Sequence, residues 1–158
     1  MEAACCLPAD KLINRTALAK REELLPHEKT DELTVEIVAK MMLKERAVRV
    51  PVLVEYKYGV ILDGHHRVEA LKRFGIELVP VYIVDYNPED IAVFSRRKDL
   101  VVSKDEVIRR ATAKDLFPHK STRHVLRGGG IPCSIIYLEE LNEGKAPLPL
   151  VSFRKRAS

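Results

Sequence analysis

The sequence predicts an α/β (α+β) domain, compact, with a small mixed sheet flanked by helices. Three observations carry that expectation. Short apolar runs with strand character, such as 50–56 and 78–85, alternate with segments whose apolar residues recur at helical spacing, such as 30–45 and 104–113. Turn signals at Asp63-Gly64, Gly75 and Asn87-Pro88 separate them. A chain of 158 residues, 46% hydrophobic and 32% charged, is long enough for one domain with a buried core.

Residues 1–15 give weak signals, with a strand or turn around 5–7, and read as an N-terminal extension. An extended piece over 16–25 leads to Pro26, which disfavours helix at Leu25 and places His27 and Glu28 on a loop. Thr30 is the expected N-cap of a helix running to about Glu45, with Asp31 and Glu32 favourable in its first turn. Leu33, Ile37, Met41, Val38 and Met42 form its expected buried stripe. Strands follow over 50–56 and 60–63, joined by a turn at 57–59. The chain breaks at Gly64 and resumes as a helix whose Val68, Leu71 and Phe74 share a face, ended by Gly75. A strand spans 78–85, whereas 91–95 suits strand or helix. Ser103 and Glu106 have the form of a capping box for a helix over 104–113. A polar, basic run over 117–124 ends before the turn at Gly128-Gly129-Gly130, and 135–138 adds a strand that turns helical to 141. The domain is read as 16–141, with 142–158 an extended tail.

Net charge of +4 and a pI near 9.0 favour anionic partners in general, but the excess is too small to name nucleic acid, which is not an expected partner. Arg154, Lys155 and Arg156 read as a solvated tail. The absence of Gln, with three Asn against many Lys, Arg and Glu, points to a thermophile. Cysteines 5, 6 and 133 have no metal-ligand spacing and an odd count, so they read as buried or half-buried thiols rather than a disulfide framework. No signal-peptide pattern and no apolar run of about 18 residues is present, and a cytoplasmic protein without membrane partners is expected.

The chemistry collects in three segments. All five histidines (His27, His65, His66, His119, His124) lie in short polar stretches that also carry Glu28, Asp63, Arg67, Lys120, Thr122 and Arg123. The strand-to-helix handover puts His65, His66 and Arg67 at a helix N-terminus, whose unpaired N–H groups and partial positive charge suit phosphate. A solvated polar cap is the plainer alternative, and the clustering argues against it. Zinc-hydrolase His spacing, a nucleophile elbow around Ser121 and a Gly-x-x-x-x-Gly-Lys loop are all missing. A histidine metal site assembled from separate segments stays open. Phosphoryl transfer needs cations and backbone N–H groups for the phosphates and a carboxylate to accept the proton of the attacking hydroxyl. Glu28 is the candidate base, against a surface ion pair. Asp63 is the candidate to orient Mg²⁺ or a phosphate-binding side chain, against a helix cap.

The stretch 60–75 resembles the phosphate-binding motif of the ParB/sulfiredoxin superfamily. More narrowly, Pro26-His27-Glu28, Asp63-Gly64-His65-His66-Arg67 and Lys120-Ser121-Thr122-Arg123-His124-Val125 together resemble the archaeal free L-serine kinases, over about residues 16–141. The resemblance implies phosphorylation of free L-serine to O-phospho-L-serine with ATP or ADP and Mg²⁺. It implies Glu28 as catalytic base, Asp63 as an essential carboxylate that could hold Mg²⁺ through the phosphates, and Gly64, His65, His66, Arg67 and Lys120 on the nucleotide. Thr122, Arg123 and His124 would bind substrate. The chain departs from the longer, ADP-using members in lacking an insertion before Lys120 and in reading Val93-Phe94-Ser95-Arg96 where they carry aromatic residues. The missing insertion favours ATP. No cysteine stands at His65, as a sulfiredoxin requires, and no helix-turn-helix domain follows, as a ParB clamp requires. A ParB-like nucleotide-binding or nuclease module is the alternative.

Overall fold

The computed structural model describes residues 6–153. Cys5 and the Arg154-Lys155-Arg156 run lie outside the described residues. Strands β1 (Cys6–Pro8), β2 (Thr16–Lys20), β4 (Val52–Glu55), β5 (Ile61–Asp63), β6 (Leu78–Val84) and β10 (Leu150–Ser152) form one mixed sheet in the order β1-β10-β2-β6-β4-β5. Helix α1 (Glu32–Glu45) packs on α2 (His65–Arg73) and on the short strand β3 (Ala47–Val48), which pairs with β9 (Ile136–Tyr137). A separate antiparallel ribbon joins β7 (Ile91–Ser95) to β8 (Thr122–Leu126), with α3 (Lys104–Ala113) between them in sequence and α4 (Leu138–Glu143) after them. The α/β architecture expected from the sequence is the one present.

The sheet separates two apolar clusters. The larger holds Val52, Val54, Ile61, Leu71, Val79, Val81 and Ile83; the smaller joins Leu53, Val60, Leu62 and Val84 to Ile91, Val107, Ala111 and Phe117. Central strands β4 and β6 read as nearly continuous apolar runs because both their faces are covered. Glu55 is buried within β4, and its carboxylate accepts from the N–H groups of Lys57, Tyr58 and Val60 at 2.8, 2.8 and 3.1 Å. It therefore closes the β4–β5 turn, and burial raises its pKa despite those three donors.

Several local expectations differ from the structure. The N-cap of α1 is Asp31, whose Oδ2 accepts from Thr34 N–H at 3.2 Å, and Thr30 precedes the cap. The expected α1 stripe is buried only in part: Met42 is in the core and Val38 packs half-buried against it, whereas Leu33, Ile37 and Met41 are 64%, 52% and 55% exposed, and Val35, outside the stripe, is fully buried. The helix meets α2 and β3 along the face that carries Val35 and Met42. Cys6 and Cys133 are exposed free thiols, Cys6 on the outermost strand and Cys133 beside Arg49. The segment 117–124, read as an irregular polar run, ends in strand β8. The two end segments set apart from 16–141 supply β1 and β10, which pair in parallel with each other inside the main sheet. Among the described residues no helix is long and apolar enough to cross a membrane.

Candidate active site

The loop carrying His27 and Glu28 is stitched between two remote segments. On one side Leu25 bridges to Val60; on the other Glu28 bridges to Phe117, with Phe117 N–H donating to His27 C=O at 2.9 Å and Lys29 N–H to Phe117 C=O at 2.8 Å. The extended backbone that Pro26 enforces is what allows this pairing. Glu28 is consequently 7% exposed. Its Oε2 accepts from Lys120 N–H at 2.9 Å, and its Oε1 accepts from Thr122 N–H at 3.1 Å and Thr122 Oγ1 at 2.8 Å. Among the described residues Glu28 makes no surface ion pair; its one ion-pair contact is with the buried His27 ring, Nε2 to Oε1 at 3.8 Å.

Gly64 turns the chain from β5 into α2 with φ +112°, which L side chains rarely adopt. A Cβ there would also lie 2.9 Å from an Arg67 nitrogen and 3.0 Å from Val52. No side chain caps α2, so its first N–H groups are free to meet an anion. Asp63, Gly64, His65 and His66 line a cleft of about 280 Å³ together with Glu28, Thr34, Leu62, Arg96, Lys120 and Thr122. The three sequence segments thus converge on one cleft.

Within it the two histidines of the Gly-His-His-Arg turn act as acceptors. His65 Nε2 takes the N–H of His27 at 3.1 Å, and His66 Nε2 takes the N–H of Asp31 at 3.1 Å. Burial holds the His65 imidazole well below its ordinary pKa, and the neighbouring His27, His124 and His66 push the same way. His66 is lowered too, first by burial, with Glu28 and Asp31 opposing. These rings brace the loop that carries Glu28 as neutral imidazoles. Arg67 is not in the cleft: its guanidinium donates to the carbonyls of Val50 and Pro51, 3.2 Å for the latter, and it lines a groove beside Met41 and Met42. Asp63 stands 3.9 Å from Arg67 with its side chain 60% exposed at the cleft's rim.

Strand β8 divides the third motif by alternation. Thr122 faces Glu28, whereas Arg123 is exposed and lines two neighbouring cavities of about 360 and 580 Å³. Arg96, which sequence reasoning passed over, lines both the larger of these and the Glu28 cleft, and its N–H is held by Ser121 C=O at 2.8 Å. Arg96 directly follows Ser95, which pairs with Thr122 across the β7–β8 ribbon, and that pairing could not be read from the sequence. His124 is half-buried against His27 (ring centroids 5.5 Å apart) and shares a hydrogen bond of 2.7 Å with Tyr86 Oη. Burial pushes its pKa down to about 3, with His27 adding to the shift. His27, His65 and His124 form a histidine cluster, yet among the described residues no group of three or more His, Cys, Asp or Glu is arranged for a metal ion. Several of their ring nitrogens already serve Ile61, Thr122, the His27 N–H and Tyr86.

No protein-family model matches the chain. Among solved structures, a free serine kinase in complex with AMP superposes with a TM-score of 0.72 over 87% of this chain and 95% of its own, at 15% identity. The fold is that of the free serine kinases. A truncated SbnI from Staphylococcus aureus shares it as well, with a TM-score of 0.69 over 81% of this chain and 89% of its own, at 13% identity. In sequence, an ATP-dependent L-serine kinase of Staphylothermus marinus is 32% identical over 44% of this chain and 29% of its own length. A second enzyme of that name, from Desulfurococcus mucosus, is 26% identical over 63% of this chain and 40% of its own. A ParB-like protein of Sulfolobus acidocaldarius is 32% identical over 56% of this chain and 43% of its own. The chain spans less than half the length of these curated relatives.

Proposed function

We propose that the protein is a free L-serine kinase that transfers a phosphoryl group from ATP to the serine hydroxyl, giving O-phospho-L-serine. The observation that carries this reading is the cleft itself. One nearly buried carboxylate, Glu28, faces a space shared with the uncapped start of α2, the Lys120 ammonium and the Arg96 guanidinium. Neither of those two side chains has a hydrogen-bond or ion-pair partner among the described residues. The name shared by two of the sequence relatives supports ATP as donor and serine as acceptor.

In this reading the α2 amides, Lys120 and Arg96 hold the phosphates and neutralise the charge that develops on them. Thr122 N–H, Thr122 Oγ1 and Lys120 N–H hold the Glu28 carboxylate in one orientation, ready to take the hydroxyl proton. Arg123, in the adjoining cavity, suits the acceptor's own carboxylate. His65 and His66 act by bracing the loop, and Arg67 by tying α2 to the chain ahead of β4. Mg²⁺ commonly takes one or two protein carboxylates and completes its shell with phosphate oxygens and water. Asp63, exposed at the rim, fits that requirement, and the ion would neutralise phosphate charge there.

Incubation of the protein with L-serine, Mg²⁺ and either ATP or ADP, followed by detection of O-phosphoserine, tests the proposal. Product with ATP is expected, and Glu28→Gln abolishes turnover while nucleotide binding persists, since an amide cannot take up the proton. No product with either donor would overturn the kinase reading. Salt-sensitive binding to duplex DNA without serine turnover would establish the ParB-like module instead.

A further inference from the structure

The environment of His27 goes beyond what a loop histidine needs. The ring is wholly buried, Nδ1 lies 2.6 Å from Ile61 C=O, and Nε2 lies 2.8 Å from Thr122 Oγ1. A carbonyl only accepts, so Nδ1 carries a proton. The same Thr122 hydroxyl lies 2.8 Å from Glu28 Oε1. One hydroxyl proton therefore faces two acceptors, the Glu28 carboxylate and the His27 Nε2 lone pair. With Glu28 ionised and His27 neutral, the chain Glu28–Thr122–His27 is one proton short. Adding one proton completes it in either of two ways: as carboxylate and imidazolium, or as carboxylic acid and imidazole with the hydroxyl reversed.

We propose that His27 is a positioning residue for the base, receiving through Thr122 the proton that Glu28 removes from the acceptor hydroxyl. This rests on the kinase reading of the cleft. As the acceptor oxygen bonds to phosphorus, the bond from phosphorus to the bridging oxygen of the nucleotide breaks and the leaving group keeps its electron pair. The acceptor proton passes to Glu28, a proton passes from Glu28 to Thr122 Oγ1, and the threonine's own proton moves to His27 Nε2. Glu28 is thereby returned to its ionised form, and the proton leaves after product release. The groups facing His27 are Glu28 on its own loop, Asp63 at the end of β5, His65 at the start of α2, and His124 and Thr122 on β8. Burial lowers the His27 pKa below its ordinary value, opposed by the Ile61 carbonyl, Glu28 and Asp63.

Thr122→Val removes the connecting hydroxyl at nearly constant shape, and Thr122→Ser restores it. For Thr122→Val, kcat falls roughly 100-fold with KM for nucleotide little changed, and the acidic limb of the pH–rate profile moves. Thr122→Ser recovers most of kcat and the original limb. A ¹⁵N-histidine and ¹³C-carboxyl NMR titration of the ligand-free wild-type protein gives a second measurement that requires neither turnover nor a variant that folds. His27 Nε2 and the Glu28 carboxyl are expected to change together, as one coupled unit. A bare Nε2 lone pair throughout the protonation of Glu28, or a Thr122→Val protein with wild-type kcat and limb, would overturn the proposal. A coupled titration without any O-phosphoserine formation would overturn the kinase reading alone and leave the shared proton standing.

Discussion

At the scale of single residues, the site is set by what each side chain can accept or donate. Glu28 collects three donors from 94 or fewer positions away, and Gly64 supplies a backbone turn open to almost nothing else. Gly64→Ala is expected to lower stability by about 2 kcal/mol, since φ +112° is strained for alanine and its Cβ would press on Val52 and Arg67. Urea unfolding of the two proteins measures this, and an unchanged midpoint would show that the turn relaxes freely. The contacts of His65, His66 and Arg67 were not legible in the sequence. A basic triplet at a helix start reads as an anion cradle, and only the folded geometry shows that two of its members accept backbone N–H groups and the third faces away.

At the scale of elements, the strands β4, β5 and β6 and the helices α1, α2 and α3 were legible because apolar spacing and turn signals agreed there, whereas 91–95, which suited strand or helix, is strand β7. Strand β8 was not legible. Its inward residues Thr122 and His124 are polar because they build the site, which erases the apolar alternation that marks a half-buried strand. Helix α1 illustrates the opposite error: three residues of its expected stripe, Leu33, Ile37 and Met41, face solvent, and only Val38 and Met42 turn inward. The two faces of α1 therefore respond differently to substitution. Val35→Ala, at a fully buried position, is expected to cost about 2 kcal/mol, whereas Ile37→Ser, 52% exposed, changes stability by less than about 0.5 kcal/mol. Thermal or urea denaturation distinguishes them, and equal losses would mean that the outer face is covered in solution.

At the scale of the whole molecule, the histidine cluster links folding to acidity. His65 and His124 are held below their ordinary pKa of 6.5, chiefly by burial, so the folded state favours the neutral rings. Their contribution is complete above pH 6.5 and is lost as pH falls toward the folded-state values, about 3 for His124. Stability is expected to decline below pH 6.5 by up to about 1.4 kcal/mol per pH unit for each histidine. Unfolding midpoints at pH 7 and pH 5 measure the slope, and His124→Asn should remove one proton from it. A flat profile would mean that the rings titrate normally in the folded protein.

The bracing of the Glu28 loop by His65 and His66 also changes which residues could stand in those places. A lone pair aimed at a backbone N–H is the requirement there, and positive charge is incidental. Lysine and arginine, the obvious replacements in a basic motif, carry no acceptor and would release the loop. Asparagine or glutamine, uncharged, keeps the vocabulary the position is written in.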